Sequence, residues 1–239
     1  MADIIKFVLS TILVILFHSS LQAESITVAC TNWKPVFYVE NEILKGSGYQ
    51  IAKAVTEQAG IEAEFIIAPW KRVYLSGLNQ PNYMIACLAR TPRREALFYW
   101  IGPIIENKIC SIFKLEKSAV SLKSIQDLQN YPVGVLRGGH QHDFLLDLPH
   151  KNILTVTDNK QLLRVLEGGR VDFVLSTEFK TTVGGTANDG DTKKIVKVMD
   201  AYSVTEYLAF GKITEKEMVD RMTRAYRQLE SEGKIVLGE

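Results

Sequence analysis

Apolar positions along the chain follow two alternating rhythms. Short apolar and β-branched runs predict strands over 25–30, 62–67, 83–88, 109–115, 133–136, 153–156, 171–175, 194–199 and 207–210. Between them, apolar residues recur at helical spacing. Gly46-Ser47-Gly48 opens a helix that runs to Gln58 and buries Ile51, Ala52, Val55 and Ala59, and Gly60 closes it. Pro69 starts a helix running to Leu78. Short helices are predicted over 124–128, over 141–146 and after Ser176. Asp158-Asn159-Lys160-Gln161 is a capping-box pattern ahead of a helix that ends at Gly168. The longest helix is predicted over 214–232, with Met218, Met222, Tyr226 and Leu229 along one face. The Gly-, Thr-, Asn- and Asp-rich stretch 181–192 reads as a loop. Repeated βα units predict an α/β protein with a mixed sheet and helices on both faces. Two sets of such units predict two lobes. In open sheets of this kind ligands bind beyond the carboxyl ends of the strands, so the residues just after each strand carry the chemical information.

Composition narrows the class. The 239 residues are 46% hydrophobic and 23% charged, which excludes a disordered, collagen-like or polytopic membrane chain. The formal net charge of +1 gives no electrostatic case for a nucleic-acid partner. The N-terminus stands apart. Lys6 precedes an apolar run from Phe7 to Phe17, and a polar stretch ending in Ala23 follows. The run is far shorter than the roughly 20 residues of a membrane span. Residues 1–23 therefore read as a secretory signal peptide cleaved after Ala23, and the mature protein as an exported, periplasmic one. Its three cysteines, Cys30, Cys87 and Cys110, read either as small buried residues in strands or as one disulfide and one free thiol.

Sequence signatures of common chemistries are missing. There is no GxxxxGK[ST], no GxGxxG after a strand, no HExxH and no GxSxG. His140 and His142 are two residues apart, which places them on different sides of a helix and argues against a metal pair. No metal or cofactor is implied, and no nucleophile–base pattern points to an enzyme. After the third strand, however, comes Ala89-Arg90-Thr91-Pro92-Arg93-Arg94-Glu95. A turn of helix started by Pro92 and capped by Thr91 would offer free N–H groups, and Arg94 a bidentate guanidinium. That combination receives a carboxylate. The alternative is a solvated charge cluster, since Arg90, Arg93 and Arg94 cannot all face one ligand.

The segment from Ala89 to Ile104, with Thr91-Pro92-Arg93-Arg94, Phe98, Trp100 and Gly102-Pro103, resembles the TPERxxxFxFxxPY segment of family 3 periplasmic solute-binding proteins, the amino-acid-type receptors of ABC importers. Thr31-Asn32-Trp33-Lys34-Pro35 with Gly46-Ser47-Gly48-Tyr49 resembles their opening loop and first helix. Val133-Gly134-Val135-Leu136-Arg137-Gly138-Gly139 resembles their VGVxxGT segment, and Leu166-Glu167-Gly168-Gly169-Arg170-Val171-Asp172 their LxxGRxD segment. Tyr207-Leu208-Ala209-Phe210 and the last helix resemble their return to the first lobe. The resemblance covers essentially the whole mature chain. It implies the two-lobed periplasmic binding protein type II fold, with 24–106 and 204–239 in one lobe, 107–203 in the other, and the ligand cleft between them.

The same resemblance implies site residues. Arg94 falls at the α-carboxylate anchor, with Thr91 and Ala89 beside it. Trp70 and Trp33 fall at aromatic platforms, and Arg72 adds a cation near the cleft. Gly139 and His140 replace the second-lobe Thr, and a protonated His140 would supplement Arg94. Thr177 stands where amino-acid binders carry the Asp that pairs with the amine, and Glu178 follows it. With the amine half altered, an anionic, amino-acid-like or organic-acid ligand is expected, since a buried amine without a carboxylate is costly. Cys30 and Cys87 end strands that are neighbours in the fold the resemblance implies, so they are the candidate pair if one disulfide forms; buried free cysteines remain the favoured reading. The expected partners are a small molecule and an ABC permease, the protein itself being a monomer. Alternatives are a ligand sensor acting in trans on a membrane partner and a dehydratase-like enzyme using Glu178 or His140 as its acid.

Overall fold

The structure is a computed structural model and describes residues 25–177, 179 and 195–238. The expected signal peptide, Glu178, the helix after Ser176 and the loop 181–192 lie outside them. In chain order come β1 (Ser25–Cys30), the hairpin β2 (Tyr38–Glu40) and β3 (Ile43–Lys45), α1 (Ser47–Ala59), β4 (Glu62–Ile67), α2 (Trp70–Asn79), β5 (Tyr83–Ala89) and β6 (Phe98–Leu115). A 3-10 segment at Ile125–Asn130 leads to β7 (Val133–Leu136), α3 (His140–Leu146), β8 (Ile153–Val156), α4 (Asn159–Glu167), β9 (Phe173–Ser176), β10 (Ile195–Gly211) and α5 (Lys216–Ser231).

Local chemistry sets several of these boundaries. Gly60 ends α1 in the left-handed conformation (φ 64°), where its amide bonds to the carbonyls of Thr56 and Glu57. Asp158 caps α4 by accepting from the Gln161 amide at 2.8 Å. Ser124 and Asp127 form a reciprocal capping box at the 3-10 segment.

The described strands build an eight-stranded mixed sheet in the order β4-β1-β5-β10-β6-β9-β7-β8, with β2–β3 a separate pair. β1 runs parallel to β4 and β5, and β7 runs parallel to β8 and β9. Between these trios β6 and β10 pair antiparallel along almost their whole lengths. The core divides along the same line. Ile26, Val28, Ile51, Val55, Ile105, Leu208, Met218, Met222 and Tyr226 form one cluster under α1 and α5, and α2 covers the opposite face of that half through Val73. Cys110, Ile112, Val133, Leu145 and Phe173 form the core of the other half, with Leu162, Val165 and Leu166 of α4 on its second face. Each half thus has helices on both faces, and the molecule is a two-lobed α/β protein.

Two expectations are corrected. The strand expected at 109–115 begins at Phe98, and those expected at 194–199 and 207–210 are one strand, β10. Gly102-Pro103, Glu106-Asn107-Lys108 and Asp200 break the local alternation. Pairing between two strands about ninety residues apart overrides that local signal. The cysteines are also settled by the fold. Cys30 and Cys87, on adjacent strands, form a disulfide with Cα atoms 5.8 Å apart, while Cys110 is a buried free thiol.

Candidate functional site

The ends of the strands converge on a cavity of about 650 Å³. Thr31, Asn32 and Trp33 follow β1; Ala68, Pro69 and Trp70 follow β4; Cys87 and Ala89 close β5. From the other lobe come Gly139, His140 and Gln141 after β7, Asp158 and Lys160 after β8, and Thr177 after β9. Six strands therefore deliver their carboxyl-end residues to one space, as open α/β sheets do. Among the described residues no group of three or more His, Cys, Asp and Glu side chains comes together to hold a metal ion.

Arg94 is the central charge of this wall. It sits in two successive turns, closed by Arg94 N to Thr91 O and Leu97 N to Arg94 O, each 3.0 Å. Its side chain is only 1% exposed. Nε donates to Asp143 Oδ2 at 3.0 Å, and Nη2 reaches the same oxygen at 2.8 Å. Nη2 also donates to Gly138 O at 3.1 Å and Nη1 to Ala89 O at 3.3 Å. The guanidinium lies 5.7 Å from the Trp70 ring centroid and 5.3 Å from that of Tyr74, within cation–π range. Trp70 Nε1 donates to Gly138 O at 2.8 Å, so two first-lobe side chains converge on one second-lobe carbonyl. A buried guanidinium needs partners on all its edges, and here the protein supplies them from both lobes.

His140 opens α3 and is buried, with Nδ1 2.8 Å from the Tyr202 hydroxyl. Burial first, and the Arg94 charge second, push its pKa down to about 3. It is neutral at physiological pH, which corrects the expectation of a second cation beside Arg94.

Trp33, Trp70, Ala89, Arg94, Gly139, His140 and Thr177 all line the cavity. Arg72 and Thr91 do not. Arg72 points from α2 into solvent, because the helix turns its Val73 face to the core. Thr91 caps no helix, since turns rather than helix occupy 92–97; its Oγ1 is buried without a hydrogen-bond partner among the described residues. Sequence reasoning missed Asp143, Asp158, Lys160 and Glu206. Glu206 is 3% exposed and lines the cavity from β10. Its signal lies in the alternation Val204, Glu206, Leu208, which sets a carboxylate at an inward position once 200–206 is read as strand.

No family model matches the chain. A curated relative is the arginine-binding extracellular protein ArtP of Bacillus subtilis (strain 168), 22% identical over 214 residues, spanning 85% of this chain and 80% of the relative. Among solved structures, a mutant of the arginine-binding protein ArgBP from T. maritima superposes with a TM-score of 0.72 at 17% identity, covering 90% of this chain and 92% of that one. The amino acid ABC transporter substrate-binding protein AbpA from Streptococcus pneumoniae, bound to L-arginine, gives 0.66 at 17%, with the same coverages. At identities of 15–22%, what these proteins and this chain share is the fold. A histidine kinase sensor domain similar to periplasmic binding proteins shares the fold as well, with a TM-score of 0.71 at 15% identity over 89% of this chain and 92% of that one. ArtP and ArgBP are arginine-binding proteins; in this chain the cavity is lined from both halves of the sheet. In this cavity Arg94 is paired with a carboxylate of the second lobe.

Proposed function

We propose that this protein is exported after cleavage behind Ala23 and captures a small amino-acid-like or organic-acid solute between its lobes for an ABC permease. Lobe boundaries near 106 and 203 fit the change of core between Ile105 and Cys110 and again between Tyr202 and Leu208. The observation that carries the reading is the cavity itself. A buried Arg94 stands at one wall, Trp33 and Trp70 offer apolar faces, and residues of both lobes complete the space. A solute touching both lobes favours the closed form by its differential affinity. Its acid group is held by Arg94, a charged hydrogen bond contributing roughly 1.5–3 kcal/mol. The mechanism is binding and release, with no bond made or broken. The relatives' names make L-arginine one probe among several.

A thermal-shift screen of residues 24–239 tests this against amino acids including L-arginine, organic acids, aromatic acids and short peptides. A ligand at 100 times its Kd stabilises the protein by about 2.7 kcal/mol, which a melting curve resolves. A hit lost in Arg94→Ala is the expected result. A hit retained in Arg94→Ala moves the anchor elsewhere in the cavity, and a screen without hits removes the acid-ligand reading.

A further inference from the structure

The lobes are tied together at one place by ions of the protein itself. Arg93 and Arg94 face Asp147 and Asp143, four residues apart and so on one side of α3 and its cap. Arg93 Nε and Nη2 reach Asp147 Oδ1 at 2.7 and 2.6 Å. Arg94 Nε and Nη2 reach Asp143 Oδ2 at 3.0 and 2.8 Å, and Trp70 and Arg94 share the Gly138 carbonyl. The two pairs differ in setting. Arg94 and Asp143 are 1% and 21% exposed, Arg93 and Asp147 45% and 56%. The outer pair is hydrated and screened by salt, whereas breaking the inner one strands a buried guanidinium.

We propose that Asp143 is a specificity-determining competitor at the anion position: its carboxylate occupies Arg94 where a solute's acid group would bind, and with the Arg93–Asp147 pair it latches the lobes together when no solute is present. The competition rests on the reading of Arg94 as the solute's anchor; the latch does not. A solute acid then binds by exchange. It displaces Asp143 from Nε and Nη2, and the exchange is favourable only for a solute that adds contacts Asp143 does not make, such as those on Trp33 and Trp70. Asp143 thereby rejects small anions that bring a carboxylate and nothing else.

Small-angle scattering of ligand-free residues 24–239 tests the latch. The wild type is compared with Asp147→Asn, Asp143→Asn and the double variant, at low and high salt, with circular dichroism confirming that each is folded. The radius of gyration shifts upward in Asp143→Asn and further in the double variant. High salt moves the wild type toward Asp147→Asn, a surface change that leaves the buried pair intact. An identical radius in wild type and folded double variant overturns the latch. Calorimetric titration with succinate, benzoate and L-arginine as carboxylate probes tests the competition. At least one probe binds about tenfold or more tighter to Asp143→Asn than to wild type, the scale of one charged hydrogen bond no longer displaced. Unchanged affinity for all three overturns the competition. A gain that persists when Arg94→Ala is added overturns Arg94 as the anchor, and leaves the latch standing on the scattering result.

Discussion

Charge at this site is managed residue by residue. Arg94 is surrounded by a carboxylate, two carbonyls and two aromatic faces, while His140, on the facing lobe, is kept neutral by burial first and by the Arg94 charge second. The second fact has a pH consequence. The folded pKa of about 3 lies below the ordinary 6.5, so the unfolded chain binds the extra proton between these values. The stability held by neutral His140 is complete above pH 6.5 and declines as pH falls toward 3. At pH 5 the loss is about 2 kcal/mol relative to neutral pH. Urea unfolding at pH 7 and pH 5 should therefore show wild type losing about that much more than His140→Gln, which keeps a partner for the Tyr202 hydroxyl but does not titrate. Equal losses in the two proteins would show that His140 is solvated and freely protonated.

At the scale of elements, the placement of α2 decides where Trp70 stands. Its Gly77 lies against β10 so closely that a Cβ on Gly211 would collide with the Gly77 carbonyl oxygen, and a Cβ on Gly77 would meet the Ile85 side chain. Backbone cannot yield as a flexible side chain can. Gly211→Ala is expected to cost roughly 1–3 kcal/mol by forcing the helix off the sheet, measured as a lower urea midpoint, and to weaken solute binding through the displaced Trp70. Elements of this kind were largely readable from sequence. β4, β7 and β8 are strands from end to end as their apolar runs predict, and α1 and α4 fall within a residue or two of their punctuation by Gly60 and Asp158. The local signal failed where a distant partner decides, as in β6 and β10. It also failed for the second half of the site: Arg94 stands in a recognisable segment, but Asp143 and Asp147 read as ordinary helix-surface acids until the fold sets them opposite two arginines.

Across the whole molecule, the first lobe is bound internally by the Cys30–Cys87 bridge, which closes a loop of 57 residues and spans β1 and β5. Constraint of the unfolded chain by a loop of that length stabilises the fold by about 4 kcal/mol in the chain-entropy description. Reduction should lower the unfolding free energy toward that extent, seen as a matching fall in the urea midpoint of both the reduced wild type and the Cys30→Ser, Cys87→Ser protein. Cys110 takes no part in exchange, because burial pushes its thiol up to about 12 and keeps it protonated.

The ribbon of β6 and β10 has a different kind of consequence. Its pairing slips register on both sides of Glu206, and Glu206 is also a wall of the cavity. Under the proposed capture by lobe closure, recognition and the strand crossing between the lobes share this residue. In a protein built this way the two properties are not modular: a substitution at position 206 made to retune solute preference also resets how readily the lobes close, so a sensor engineered from this scaffold inherits a coupled pair of settings where two independent ones would be wanted.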